Sequence, residues 1–374
     1  MSHALSTHSG RLERWLGTEV CENLSTSMKD WYGPPIAVSG VPGKVYVHKG
    51  GDFRGTIHNG AFASTLDRMD ELCVSLRNRW RRASRSKQLN AGFSSLSDLI
   101  AESTSGKRRE FFFNKVGPTG VTAATSSLYR VGPQPVAGSA PGNAPGGTAF
   151  TDASTGFPPY TNPAGGDTLH FVRAEATATT GGNTLLLYDL LFGVNKTMNS
   201  STTEAVTGVP TRYQSSTGGA ADSSEGNFLF IQVGGTALAA TAHNWTVCQY
   251  TDQGGTTGVS LPSLTGNSGA IVDRLDHPTA QWFAPLADGD TGIKALTQMQ
   301  CSAAVATGVV WFMIGHPIAF CPCPIANLVC VVDGINTAFN LTRIFDDAAL
   351  NLLEVTKPSA TATTYNLSVF AAAG

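Results

Sequence analysis

The chain has 374 residues, with 25 basic and 27 acidic side chains, a formal net charge of -2, and only 14% of its residues charged. Ordinary soluble domains are about a quarter charged, and disordered chains pair low hydrophobicity with high net charge, so this composition fits neither class. Beyond residue 116 Gly, Ala, Ser and Thr dominate, which suits a protein that buries much of its exterior against other subunits.

The charge is unevenly placed. Residues 1–115 hold seventeen basic and eleven acidic side chains, a net +6, while residues 116–374 hold eight and sixteen, a net -8. A basic amino-terminal part on an acidic body calls for a negative partner, either nucleic acid or the acidic body of a neighbouring subunit. The opening MSHALSTHSGRLERWLG has no apolar core after a basic stretch, so no secretory signal is expected. No run approaches the roughly 18 apolar residues of a membrane span; the most apolar stretch, 308–330, is interrupted by His316, Pro317, Pro322 and Pro324. Seven cysteines at irregular spacing do not form a disulfide framework, and a reducing site of synthesis follows.

In chain order, residues 1–60 form an extended arm rich in Gly and Pro, with a short strand at Lys44–His48. Residues 61–115 form a helical, basic region. Phe62, Leu66, Met69, Leu72, Cys73, Leu76 and Trp80 recur at three- and four-residue steps, one apolar stripe on a helix. A shorter helix follows with Leu96, Leu99 and Ile100 on one face. Residues 116–166 are a Gly/Pro-rich extended linker. A structureless loop of that length is unusual in a compact domain, so it either lies over its own body or a neighbour, or is a flexible connection.

Residues 167–374 predict strands punctuated by turns. The strands are Leu169–Ala178, Thr184–Phe192, Asn227–Val233, Asn244–Tyr250, Gly292–Ala303, Val309–Ile314, Leu328–Val332, Phe339–Ile344 and Tyr365–Phe370. Ile293, Ala295, Thr297, Met299 and Cys301 alternate with Lys294, Gln298, Gln300 and Ser302, the period of a half-buried strand. Asp346–Leu353 predicts one short helix. With no periodic helix between the strands, a parallel α/β sheet is excluded. The fold class is mainly β, with an antiparallel β-sandwich or jelly-roll body.

Few residues assemble into chemistry. There is no nucleophile elbow, no Walker-type loop and no His-Glu-x-x-His. Cys321, Cys323 and Cys330 provide three thiols where a structural zinc needs four ligands, so buried thiols are expected and no metal. Asp288-Gly289-Asp290 offers too few oxygens for calcium and predicts a turn. His277 and His316 have no sequence-near partner and are expected to be structural. For a glycan hydrolase the available acids are Glu175, Asp189, Glu204, Glu225 and Asp273, and no spacing singles out the pair that chemistry needs. The expectation is no enzyme and no cofactor.

The basic cluster Arg77, Arg79, Arg81, Arg82, Arg85 and Lys87 is the strongest candidate contact. It suits phosphates of nucleic acid, carboxylates of an adjacent subunit, or plain solvation at a helix end. Lys107-Arg108-Arg109 before Phe111-Phe112-Phe113 poses the same choice. Were the sandwich a glycan binder, Tyr160, Tyr213 and Trp245 would be the aromatics to test.

The linker and body contain, in order, Ser127-Leu128-Tyr129-Arg130, Gly132-Pro133-Gln134-Pro135, Thr184–Asp189, the stretch Cys248 to Gly258, and Gly289-Asp290-Thr291-Gly292-Ile293. In these, over about 110–355, the chain resembles a family of tailed-bacteriophage virion proteins. These are strand and turn signatures, so the resemblance implies no catalytic residue. It implies a β-rich component of a phage particle, most simply in the head shell as a decoration or shell-forming subunit. The alternatives are the major capsid protein proper and a tail protein that recognises host glycans. A homo-oligomer, trimeric or larger, other capsid proteins, possible contact with packaged DNA, and location in the virion follow from that resemblance.

Overall fold

A computed structural model describes residues 44–49, 53–58, 93, 95–119, 122–278, 281–335, 341–356 and 359–374. Two strands, β1 (Lys44–Lys49) and β2 (Phe53–His58), pair antiparallel within a separate unit that spans residues 1–85. The expected helix over 62–80 lies outside the described residues.

The body, residues 86–374, is one compact unit. It opens with α1 (Leu96–Thr104) and continues with β3 (Arg108–Val116), β4 (Leu169–Ala178), β5 (Asn183–Thr197), β6 (Phe228–Val233), β7 (Asn244–Asp252) and β8 (Ile293–Cys301). Then come β9 (Val309–Cys323), β10 (Cys330–Asp333), β11 (Leu350–Thr356) and β12 (Thr364–Ala373), and seven two-residue strands lie between the longer ones. The fold is mainly β, and every pairing between these strands is antiparallel. The body has three sheets, where a jelly roll has two.

The central sheet runs β6-β9-β5-β11-Ser126–Ser127, with Thr148–Ala149 also on β5. The second runs Val259–Ser260-β7-β8-Glu204–Ala205, and the third runs β10-β4-β12-β3-Pro133–Gln134. One face of the central sheet serves two cores. Leu191, Phe192, Val194, Phe312 and Ile314 pack with Trp245, Tyr250, Leu296 and Met299 of the second sheet. Farther along the same strands, Leu185, Leu187 and Cys321 pack with Phe111, Phe171, Leu367 and Val369 of the third. The opposite face carries Leu186, Tyr188, Leu190, Phe230 and Trp311, roofed by Tyr129, Phe150 and Phe157. Burial on both faces is why Leu185 to Val194 reads as a nearly continuous apolar run, broken by Asp189, instead of alternating.

The roof comes from residues 116–166. Tyr129 stacks on Phe157 at 5.2 Å, and the main chain of Asn195 donates to the Gly142 carbonyl at 2.9 Å. The described part of the segment therefore lies over its own body. Boundaries drawn from composition at 115 and 166 fall inside that body, because β3 pairs along its whole length with β12. The basic residues of 107–109 had masked this strand.

β9 continues through Pro317 and Pro322 to Cys323, well past the expected end at Ile314. β6 covers it only from Val310 to Gly315. Both prolines sit beyond that point, where β9 has β5 alone as a partner and a missing N–H is tolerated. The expected helix at Asp346–Leu353 is absent: Asp347 takes φ 58, and a strand starts at Leu350. The N–H groups of Ala348 and Ala349 bond the Tyr160 hydroxyl and Asp189 Oδ1, so no helical turn forms. Leu350 and Leu352 then enter one core while Leu353 and Val355 enter another, a period of two.

α1 is capped by Ser95, whose hydroxyl accepts from the Asp98 N–H at 3.1 Å. Leu99 is buried against Phe93 and Ala372, whereas Leu96 and Ile100 are exposed.

Candidate functional site

The basic cluster Arg77 to Lys87 lies outside the described residues. The smaller cluster is engaged within its own chain. Lys107 Nζ pairs with Glu102 at 2.8 Å and Asp167 at 3.0 Å, Arg108 pairs with Glu110, and Arg109 donates to the Thr161 carbonyl.

The aromatics named for a glycan site are mostly core residues, which corrects that expectation. Tyr213 is buried, stacks on His316 at 3.9 Å and donates to the Arg343 carbonyl. Trp245 is buried edge-on to Phe312, and its Nε1 donates to Asp276 at 2.9 Å. Tyr160 is half-buried; its hydroxyl donates to the Phe345 carbonyl and accepts from Ala348. Pleat alternation turns Trp245 inward.

The acids do not converge. Glu175 pairs with Arg173, Glu204 with Lys196, and Asp189 with Arg212. Asp273 sits 3.8 Å from Arg130, yet burial pushes its carboxyl up to about 6. Burial likewise pushes the Cys321 thiol up to about 12 and the Cys323 thiol up to about 11, the state of inert apolar sulfur. Among the described residues no three His, Cys, Asp or Glu side chains are grouped to hold a metal. Asp290 accepts from the Tyr250 hydroxyl at 2.5 Å, and Gln253 Oε1 accepts from the N–H groups of Thr291 and Gly292, so residues 288–292 form a pinned turn.

The histidines are structural partners. His277 Nε2 accepts from the Ile231 N–H, and burial lowers its pKa to about 4. His316 Nδ1 faces Asn227 Oδ1 at 2.8 Å and is lowered to about 4 by burial. His243 is held differently. Burial opposes its charge, but the Asp276 carboxylate at 2.9 Å and the Thr241 carbonyl outweigh that and raise its pKa. Asp276, accepting from His243 and Trp245, is a polar centre the sequence reading missed; no spacing links residues thirty apart.

What the body does present is an apolar ridge. After β9 the chain turns through 324–329 and enters β10, the outer strand of the third sheet. Ile325 is 58% exposed, Leu328 52%, Val329 53% and Val331 46%, with Ile335 beyond them. No charged residue occurs from Pro324 to Val332. The backbone under the ridge is fixed. The Gly182 N–H bonds the Cys323 and Pro324 carbonyls, the Asn327 N–H bonds the Ala178 carbonyl at 2.8 Å, and the Gly334 N–H bonds that of Val172. Gly181 permits the approach, since a Cβ there would lie 2.8 Å from the Pro324 carbonyl oxygen. Residues 328–332 were expected to form a strand, and a β-branched run reads the same whether its cover is its own chain or a neighbour's.

The comparisons with known proteins add little. No family model and no curated protein matches the chain. Two solved structures align weakly. One is of the infectious bursal disease virus Gt strain, at 9% identity over 71% of this chain and 81% of that one, with a TM-score of 0.15. The other is the VP2 subviral particle of infectious bursal disease virus, at 12% identity over 71% and 80%, with a TM-score of 0.14. Likeness at that level carries no argument about function.

Proposed function

We propose that the chain is a structural subunit of a virus particle, in a tailed-phage head, working as a decoration or shell-forming protein through contacts between subunits. The observation that carries this reading is the apolar ridge at 325–335 on the outer edge of the third sheet, uncharged as far as Val332. Exposed aliphatic edges promote association, and proteins that remain alone blunt them with charge. This one carries none from Pro324 to Val332.

The magnitude fits a repeated contact. Full burial of a Val, Leu or Ile is worth about 1.5–3 kcal/mol, and the ridge residues are already about half covered, so each gains roughly 1 kcal/mol. Five of them supply about 5 kcal/mol per subunit, against an association cost of about 4–15 kcal/mol. One such contact is weak, and many in a closed symmetric array hold. The division of charge, +6 in residues 1–115 and -8 in the rest, supports contact between the two kinds of region on different copies.

Sedimentation of the purified chain, followed by electron microscopy with and without emptied phage heads, tests the reading. Discrete oligomers, closed shells or decorated heads are expected. A monomer that ignores heads and adheres to host cells overturns it.

A further inference from the structure

We propose that β10 docks edge to edge against β10 of a second copy of this chain, antiparallel about a two-fold axis between the paired Cys330 residues. The proposal rests on the assembly reading above and names the partner for the ridge. The third sheet ends at β10, and an edge strand offers a row of outward N–H and C=O groups that a like strand can satisfy.

The sequence around β10 is self-complementary in one register. An axis normal to the sheet keeps outer face with outer face, so facing residues share parity and the pairing centres on a residue. Centred on Cys330, Val329 faces Val331 of the other copy and Leu328 faces Val332. The chain turns away at Asn327, whose φ is 58, so the paired stretch is 328–332. Within it Leu328, Val329 and Val331 each meet an aliphatic side chain. Centring on Val331 instead sets Val329 against Asp333, and centring on Val329 sets Val331 against Asn327. Because no charge lies between Pro324 and Val332, self-contact brings no like charges together. Cross-strand apolar pairs of this kind are the unit of sheet stabilisation.

Cys330 is a native reporter. It is partly exposed, whereas Cys248, Cys301, Cys321 and Cys323 are buried. Opposed residues in an antiparallel pair have Cα atoms about 4.5–5.5 Å apart, within the roughly 4.4–6.8 Å that a disulfide spans. Diamide oxidation of the full chain is the test. Two Cys330 thiols give up two protons and two electrons to the azo group, which becomes a hydrazine, and one S–S bond joins the copies. A covalent dimer with a Cys330–Cys330 peptide pair is expected, and Cys330→Ser abolishes it. An associated chain whose Cys330 stays unlinked, or links only to Cys323 of its own copy, overturns the register.

Two further variants guard against misleading chemistry. Val331→Glu should weaken self-association by about tenfold or more, since it places a carboxylate in an apolar pair. Adding Val329→Lys should restore it to within about threefold, because Lys and Glu then face each other twice across the axis. Unchanged association of Val331→Glu, or no recovery in the double variant, overturns the proposal. Should Val331→Glu still enter particles as wild type does, the two-fold contact falls and the particle reading stands. Wild-type chain that neither assembles nor binds heads sinks that reading itself.

Discussion

Asp189 and Arg212 form a bidentate pair, Nε to Oδ2 at 2.9 Å and Nη2 to Oδ1 at 2.7 Å, with Asp189 fully buried. The pair stands on β5 where Leu187 still belongs to the core under the third sheet and Leu191 already belongs to the core under the second. Asp189 Oδ1 also accepts from the Ala349 N–H, and Arg212 Nη1 donates to the Phe150 carbonyl. One ion pair thus fixes three separate segments to the central sheet.

Removing one partner leaves the other charged and buried. Asp189→Ala is expected to cost about 3–5 kcal/mol in urea unfolding, and Arg212→Met a similar amount. Joint replacement, Asp189→Leu with Arg212→Met, should recover most of the loss. Single variants that cost under about 1 kcal/mol would mean the pair is far better solvated than its geometry implies.

Asp273 makes a pH prediction. Burial raises its carboxyl to about 6 in the folded chain, against about 3.9 unfolded. Above pH 6 the folded state carries a desolvated charge at a cost. As pH falls from 6 toward 4 the folded state takes the proton first, so stability rises relative to a variant that cannot titrate. The difference between wild type and Asp273→Asn should shift by on the order of 2 kcal/mol across that window. Asn also tolerates the left-handed backbone at φ 72. Parallel stability curves for the two chains over pH 4–7 would refute it.

Lys115 predicts the opposite window. Its Nζ donates to the Val131 carbonyl at 2.7 Å and the Pro135 carbonyl at 2.8 Å, and burial lowers its pKa to about 8. Unfolded, the lysine titrates near 10.4. Folding therefore carries a penalty for the ammonium at neutral pH, and that penalty is relieved as pH rises from 8 toward 10.5. Wild type should gain on the order of 2 kcal/mol relative to Lys115→Met over that range. A flat difference would show that the amine is solvated.

The sequence read best where one face alone is buried. The limits of β8, Ile293–Cys301, fall inside the expected Gly292–Ala303, although Leu296 takes the buried place expected of Thr297. β4 was bounded at both ends by turn residues and matches at Leu169–Ala178. Reading failed where tertiary contacts outweighed local preference. Asp346-Asp347-Ala348-Ala349-Leu350 has the acidic first turn and alanines of a helix, yet Tyr160 and Asp189 take its N–H groups from positions 160 or more residues away. The candidate site was hidden for another reason. Val329 and Val331 have the composition of a core strand, and only the end of the sheet at β10 leaves them uncovered.

Gly208 tests whether residues 116–166 are a covering layer in solution. A Cβ at 208 would overlap the Gly146 carbonyl oxygen and come within 2.7 Å of the Phe192 ring, while the Gly208 N–H bonds the Pro145 carbonyl at 3.3 Å. The close approach holds residues 142–150 down on β5. Gly208→Ala must move backbone against a packed ring, an overpacking cost of about 1–3 kcal/mol. The loss should be local. Amide exchange of Thr148 to Phe157 is expected to quicken several-fold, because that stretch loses its seat on Phe192, while β7 and β8 keep their protection. If those amides already exchange freely in the wild-type chain, the segment is a loose connection, and Tyr129, Phe150 and Phe157 do not roof the central sheet.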